Sequence, residues 1–304
     1  MAHRIDLHIH SCYSEDGDYS IDYIFELAKK IGLRAISITD HDSIESIPDA
    51  VIASKKYGIE YIPGVELTTI YEDGSQQHLL GYYIHDNPQL NTTLKKIGQF
   101  RWEIAKRRIE KLREIGFSMN EDNVWEKANS RPPTATAIML EVFENPENRN
   151  DKRLREYFEG EKSDNRLMFF YREYLAENMP AYVPFISIPI KEGIDVIKAS
   201  GGIPVLAHPK FVNGEEHLKK IANMGIIGIE AISSYHSKEE IQYFKNFAHE
   251  YNLIITAGSD FHGPTSKPKV ALGGIEGNDY SLLEELKKLY KNNKLSWHNI
   301  LGRV

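Results

Sequence analysis

The feature that most restricts this chain is a rhythm of short apolar runs that end in histidine or an acid, separated by stretches with helical periodicity. Such alternation builds a parallel sheet covered by helices. It predicts strands at Arg4–His10, Arg34–His41, Glu60–Thr69, Gln77–Ile84, Ile203–His208, Gly225–Ile232 and Leu253–Asp260. Between the first two lies SIDYIFELAKKIG, where Ile24, Leu27, Ala28 and Ile31 recur at helical spacing after a capping Ser20 and before Gly32, which stops the helix. The same logic places helices near Ser46–Tyr57, Ile190–Ala199, Glu215–Met224, Ser237–Tyr251 and Leu282–Lys291.

From 88 to 189 the rhythm breaks. The β-branched runs vanish and long charged helical patterns such as TLKKIGQFRWEIAKRRIEKLREIGF take over. A length of 304 residues suits one barrel of ~250 residues carrying an insertion, or two ordinary domains. The expected organisation is therefore a barrel from 1–87 and 190–304 with a helical insertion at 88–189. Within the insertion, Arg101, Lys106, Arg107 and Arg108 are interleaved with Glu103, Glu110 and Glu114, which reads as a solvated helix face rather than a nucleic-acid patch.

Composition narrows the function classes. Hydrophobic residues at 41% and charged residues at 27% are ordinary for a soluble globular protein. No apolar run approaches the ~20 residues that span a bilayer, and the start shows no signal-peptide pattern, so the expectation is a cytoplasmic protein without a membrane partner. Cys12 is the only cysteine, which rules out an intrachain disulfide. A net charge of −7 repels polyanions, so long duplex nucleic acid is not an expected partner, and an anionic substrate must meet local positive charge. Bound cations could supply it.

The strand ends carry the chemistry. His8 and His10 sit two apart in RIDLHIH and point to one face of a strand, where they can share an ion. AISITDHD ends in Asp40, His41 and Asp42, and YIPGVEL places Glu66 after a Pro-Gly pair that lets the backbone turn. His78 begins HLLGYYI, His208 closes IPVLAHP, and Asp260 and His262 close LIITAGSDFHG. In barrels of alternating strands and helices the carboxyl ends of the strands share one rim, so these side chains converge there. Imidazole mixed with carboxylate, and no thiolate cluster, suits manganese, magnesium, iron or zinc.

The segments DLHIHSCYSEDG, ITDHDS, PGVE, QHLLGY, LAHP and GSDFHG resemble, in order, the motifs of the PHP (polymerase and histidinol phosphatase) metallo-phosphoesterases. The resemblance implies an α/β fold, a distorted (β/α)7 barrel with a helical insertion, and a centre of two or three divalent ions. It assigns one ion to His8, His10, Glu66 and Asp260, a second to Glu66, His78 and His208, and a third to Asp16, His41 and His262. Glu15 competes with Asp16 for the last role, and Asp16, directly before Gly17, is preferred because a loop absorbs an inserted residue. Asp40 and Asp42 are read as acids that orient imidazoles.

Within that family, the inserted domain and the later PAYVP stretch resemble members that act on 5′-nucleotides, on nucleoside 3′,5′-bisphosphates or on the 5′ ends of RNA. Those members carry Gly-Arg-Pro-His in the insertion, where this chain has Ser130-Arg131-Pro132-Pro133. Arg131 is thus a candidate phosphate clamp. The implied activity is phosphoester hydrolysis by attack of a metal-activated hydroxide on phosphorus, with a small nucleotide or short oligonucleotide as partner. His236 and Asp260 are the candidate catalytic side chains. His236 and Lys210 are further candidates for substrate contact, against plainer readings as a polar loop residue and a rim lysine. The alternatives are a histidinol-phosphate-type phosphatase and a non-catalytic nucleotide-sensing module.

Overall fold

A computed structural model of the protein describes residues 4–128 and 131–301. Ser130, the first residue of the Ser-Arg-Pro-Pro segment, lies outside the described residues. The chain divides into two compact units, one of residues 1–94 with 188–304 and one of residues 95–187.

The first unit holds eight strands: β1 (Arg4–Ile9), β2 (Leu33–Ile38), β3 (Glu60–Ile70), β4 (Gln76–Tyr82), β5 (Ile188–Pro189), β6 (Ile203–Leu206), β7 (Gly228–Ser233) and β8 (Ile254–Gly258). They run in the order β1-β2-β3-β4-β6-β7-β8, with the two-residue β5 beside β3. Beyond β8 the chain returns to β1, where Asp260 N–H donates to His8 O and His10 N–H to Phe261 O, each at 2.8 Å. The sheet is thereby nearly closed, and the fold is the distorted (β/α)7 barrel that the family resemblance implies. The helix Ile21–Lys30 shows the local logic: Ser20 caps Tyr23 N–H, and Ile21, Ile24, Phe25 and Ala28 are buried. They pack with Ile36 and Ile38 of β2 and Ala50 and Ala53 of the helix Ile47–Tyr57.

Two features depart from the sequence reading. The sheet is mixed rather than parallel, because β4 runs antiparallel to both β3 and β6. The physical reason is the connection: Tyr71 and Ser75 close a tight turn (N–H to O, 2.9 Å), far too short for the crossover that a parallel pair needs. The reversal matters, since it carries His78, near the start of β4, opposite Thr68 at the end of β3, onto the rim where the other strands finish. Secondly, Pro63-Gly64 is not a turn, because β3 runs unbroken through it. A Cβ on Gly64 would sit 2.5 Å from Ser37 Oγ, so the glycine admits close approach by β2.

The second unit is helical among its described residues and has its own core, including Ile109, Leu112, Phe117, Ile138, Val142, Tyr157 and Phe170. Arg131 follows the helix Glu121–Lys127, its N–H donating to Ala128 O at 3.0 Å. No described helix is long and apolar enough to cross a membrane.

Candidate metal centre

Period-two alternation along β1 sends His8 inward, and His10 follows just past the strand on the same side, so their Nε2 atoms lie 3.1 Å apart. Both face Glu66 Oε2, at 3.2 and 3.1 Å, and Asp260 Oδ1, at 3.3 and 3.2 Å. His78 Nδ1 (3.0 Å) and His208 Nε2 (3.1 Å) converge on the other Glu66 oxygen, Oε1. After β2 the chain keeps step with β3, Asp42 N–H donating to Glu66 O, and this sets His41 Nδ1 3.1 Å from Glu66 Oε2. Asp16 Oδ2 lies 3.1 Å from His262 Nε2 and 3.7 Å from His41 Nε2. The structure thus brings all nine residues named as ligands to one rim, with Asp16 as the acid beside His41 and His262. His41 stands nearer Glu66 than the third ligand set alone implies.

A cation fits this cluster on the chemistry of its atoms. His8 Nδ1 meets Glu230 Oε1 at 2.9 Å and His262 Nδ1 meets Asp260 O at 2.9 Å; these partners only accept, so each ring donates from Nδ1 and leaves Nε2 as the atom turned to the centre. Glu66 Oε2, Asp260 Oδ1, Asp16 Oδ1, His41 Nδ1 and His262 Nε2 are buried without hydrogen-bond partners. Lone pairs facing lone pairs in a buried site are costly unless a positive ion lies between them. His8, His10, Glu66, Asp260 form one such group, His41, Glu66, His78 another, and His10, Asp16, His41, His262 a third. Burial disfavours charge on His10, but Asp260 and Glu66 outweigh it and raise its pKa to about 9. Burial likewise opposes ionisation of Glu66, yet His8, His41 and His78 hold its carboxyl well below the usual range. An ion entering here displaces protons from imidazole, so its affinity rises with pH.

The scaffold pays for this convergence in backbone strain. His208 has φ 23° and Asp260 φ 58°, in the left-handed region that non-glycine residues avoid at about 1–3 kcal/mol each. His208 N–H is anchored by Glu230 Oε2 at 2.9 Å, while Asp260 N–H is anchored on β1 as described above.

Glu230, absent from the sequence reading, thus holds two ligands at once. Its signal was available: it is an acid within the wholly buried strand GIEAIS. Asp40, in contrast, accepts Ser11 N–H at 2.7 Å and the Ser11 hydroxyl at 2.9 Å; it braces the loop after β1 rather than an imidazole. Asp42 accepts Thr68 N–H at 2.8 Å. Glu230→Gln keeps the shape but offers a single acceptor oxygen to His8 and His208. It should lower metal affinity by ~10- to 100-fold with the fold retained, read by metal titration alongside circular dichroism; unchanged affinity would refute the role.

Two further residues were not legible. Lys267 reaches Asp260 Oδ2, which also accepts the Tyr235 hydroxyl at 2.7 Å, and both line a pocket of about 250 Å³ over Glu66, His41, His78 and His208. Lys210 and His236 are not among the residues lining that pocket. Lys210 Nζ donates to Tyr235 O and to Glu240, each at 3.0 Å. His236 Nδ1 donates to Ala231 O at 3.0 Å, and burial lowers the ring's pKa, so its buried, unpartnered Nε2 is an acceptor at neutral pH.

The PHP domain model matches residues 6–160 of the chain. The chain belongs to the PHP domain family. Among curated relatives, a 5′-3′ exoribonuclease of Haemophilus influenzae is 29% identical over 87% of this chain and 92% of its own. A 3′,5′-nucleoside bisphosphate phosphatase of Chromobacterium violaceum is 27% identical over 99% and 98%. The crystal structure of a candidate metal-dependent phosphoesterase from Bifidobacterium adolescentis shares the fold, with a TM-score of 0.74 at 24% identity over 94% of this chain and 96% of that one.

Proposed function

We propose that this chain is a metal-dependent phosphoesterase that hydrolyses a small phosphomonoester: a 5′-nucleotide, a nucleoside 3′,5′-bisphosphate or a short 5′-phosphorylated oligonucleotide. The observation that carries the reading is the cluster of six imidazoles around Glu66, Asp260 and Asp16, opening into a pocket of about 250 Å³. The activities named for the two curated relatives supply the substrate class.

Two or three divalent ions, of manganese, magnesium, iron or zinc, would lower the pKa of water and neutralise phosphate charge there. His8, His10, Glu66 and Asp260 would hold one, Glu66, His78 and His208 a second, and Asp16, His41 and His262 a third. With only three carboxylates in that set, the site keeps an excess of positive charge, which lets a protein of net charge −7 accept a phosphate dianion. Lys267 adds to it from the pocket wall. His236 presents an acceptor nitrogen at neutral pH, so it suits receiving a proton better than delivering one to the leaving oxygen.

The insertion, 88–189, is proposed to recognise the substrate through Arg131, whose guanidinium can grip a phosphate through paired hydrogen bonds. Phosphate release from a panel of nucleoside 5′-monophosphates, 3′,5′-bisphosphates, short oligonucleotides and histidinol phosphate, with manganese present, tests the reading. The nucleotides should lead, and a clear preference for histidinol phosphate would overturn it. In the same panel Arg131→Ala should lower kcat/KM roughly 10- to 150-fold for a bisphosphate, weakly for p-nitrophenyl phosphate, and leave metal content unchanged.

A further inference from the structure

The pocket over the ligand cluster also has walls that are not themselves metal ligands. Besides the ligands, it is lined by Gln76, Gln77, Phe211, Tyr235 and Lys267. Phe211 stands on the turn Pro209–Phe211 directly after His208, and it is 51% exposed although apolar and large. The turn is fixed: Phe211 N–H donates to His208 O at 3.2 Å and Val212 N–H to Pro209 O at 3.1 Å. The ring meets Tyr235 edge-to-face at 5.1 Å and His208 edge-to-face at 5.3 Å. Tyr235 is itself pinned by its hydroxyl on Asp260. An exposed aromatic side chain is thereby held rigid beside a ligand histidine instead of lying flat on the surface.

The chemistry of the neighbours selects the occupant. An aromatic ring held at its edge offers a face for stacking, the exposed Gln76, whose Nε2 lies 2.6 Å from His78 Nε2, keeps its amide oxygen as an acceptor for a base edge, and Lys267 offers charge for a phosphate. A simple sugar or alkyl phosphate has no use for the ring. A nucleoside phosphate carries all three matching parts, with the base one sugar away from the phosphate.

We propose that Phe211 is a specificity-determining residue, stacking on the nucleobase of a nucleoside phosphate whose phosphate lies at the ligand cluster. This rests on the reading of the chain as a nucleotide phosphoesterase. Tyr235 sets the angle of the Phe211 ring, and any base fits because every base has a π face.

The test uses the full chain loaded with manganese, AMP, ribose 5-phosphate as the matched ester without a base, and the variants Phe211→Ala and Phe211→Trp. Phe211→Ala should raise KM for AMP about ten-fold, within the roughly 5- to 150-fold that loss of one stacked base brings. It should leave kcat, and both constants for ribose 5-phosphate, unchanged. Phe211→Trp should restore the AMP value. A non-hydrolysable phosphonate analogue of AMP should lose the same factor in Kd by calorimetry, which reads binding apart from turnover. Equal losses on both esters, or no loss on either, overturn the stacking role while leaving the nucleotide reading intact. A wild-type chain that turns over ribose 5-phosphate but neither turns over AMP nor binds the analogue overturns both. Because the Phe211 ring is half in solvent, its truncation is compatible with folding, and an unaltered circular dichroism spectrum and manganese content confirm that for the sample used.

Discussion

Glu66→Gln should strip metal from two ligand groups at once and cost more activity than the ~10- to 100-fold that follows loss of an outer partner such as Glu230. The carboxylate is the hub of the rim. Oε2 faces His8, His10 and His41 at 3.2, 3.1 and 3.1 Å, and Oε1 faces His78 and His208 at 3.0 and 3.1 Å. Glutamine keeps the volume and the strand position, but its NH₂ has no lone pair to offer a cation and removes the negative charge that draws one in. Whichever way the amide turns, one of the two groups loses its oxygen. Asp16→Asn is the contrast: Asp16 belongs to one ligand group, with His10, His41 and His262, so its loss should empty mainly a single site. Elemental analysis after metal-replete purification decides the matter, with ions per chain counted for wild type and both variants. A Glu66→Gln protein with wild-type metal content and kcat/KM would remove Glu66 from the bridging role.

What could be read in advance follows from how local each signal is. His8 and His10 were legible as a pair because strand alternation fixes their common side without help from the rest of the chain. His208 and Asp260 were legible as the ends of apolar runs, whereas their left-handed backbone, at φ 23° and 58°, depends on contacts with Glu230 and β1 that lie far off in sequence. The reversal of β4 is not legible in the run QHLLGYYI, which reads alike in either direction; the brevity of the Tyr71–Ser75 link decides it. Pro63-Gly64 misled for a related reason. Its residue types suit a turn, but here the glycine is demanded by a neighbouring strand, which no local pattern reveals. Lys267 carried no signal at all, since a lysine in a polar loop becomes informative only when its ammonium is found on a ligand carboxylate. Glu230 differs from these: an acid amid GIEAIS is an anomaly that burial makes expensive, and expensive anomalies mark sites.

The largest stability effect is expected at the seam where the barrel nearly closes. A Cβ on Gly258 would lie 2.2 Å from His8 Cβ, 2.8 Å from His8 N and 2.6 Å from Glu230 Oε1. None of these can step aside. His8 and Glu230 are fully buried, and the Glu230 carboxylate already holds His8 Nδ1 and His208 N–H. Gly258→Ala must therefore push β8 away from β1, and the bonds joining Asp260 N–H to His8 O and His10 N–H to Phe261 O are next in line. Overpacking alone costs about 1–3 kcal/mol, and loosening buried hydrogen bonds adds about 1–3 kcal/mol for each group left unsatisfied. The sum, on the order of 3 kcal/mol or more, is among the large single-substitution effects and should displace the denaturant midpoint of the barrel clearly downward. Gly98→Ala supplies the control. It lies in the helix Pro88–Glu114 and a Cβ there meets nothing within 4 Å, so it should be neutral or stabilise by roughly 0.5–1 kcal/mol. Metal content separates strain from simple unfolding: a folded Gly258→Ala protein should still bind ions more weakly, because His8 and Asp260 sit on opposite sides of the widened seam. A midpoint and a metal content both equal to wild type would mean that β1 and β8 do not meet as closely as the bonds across the seam require.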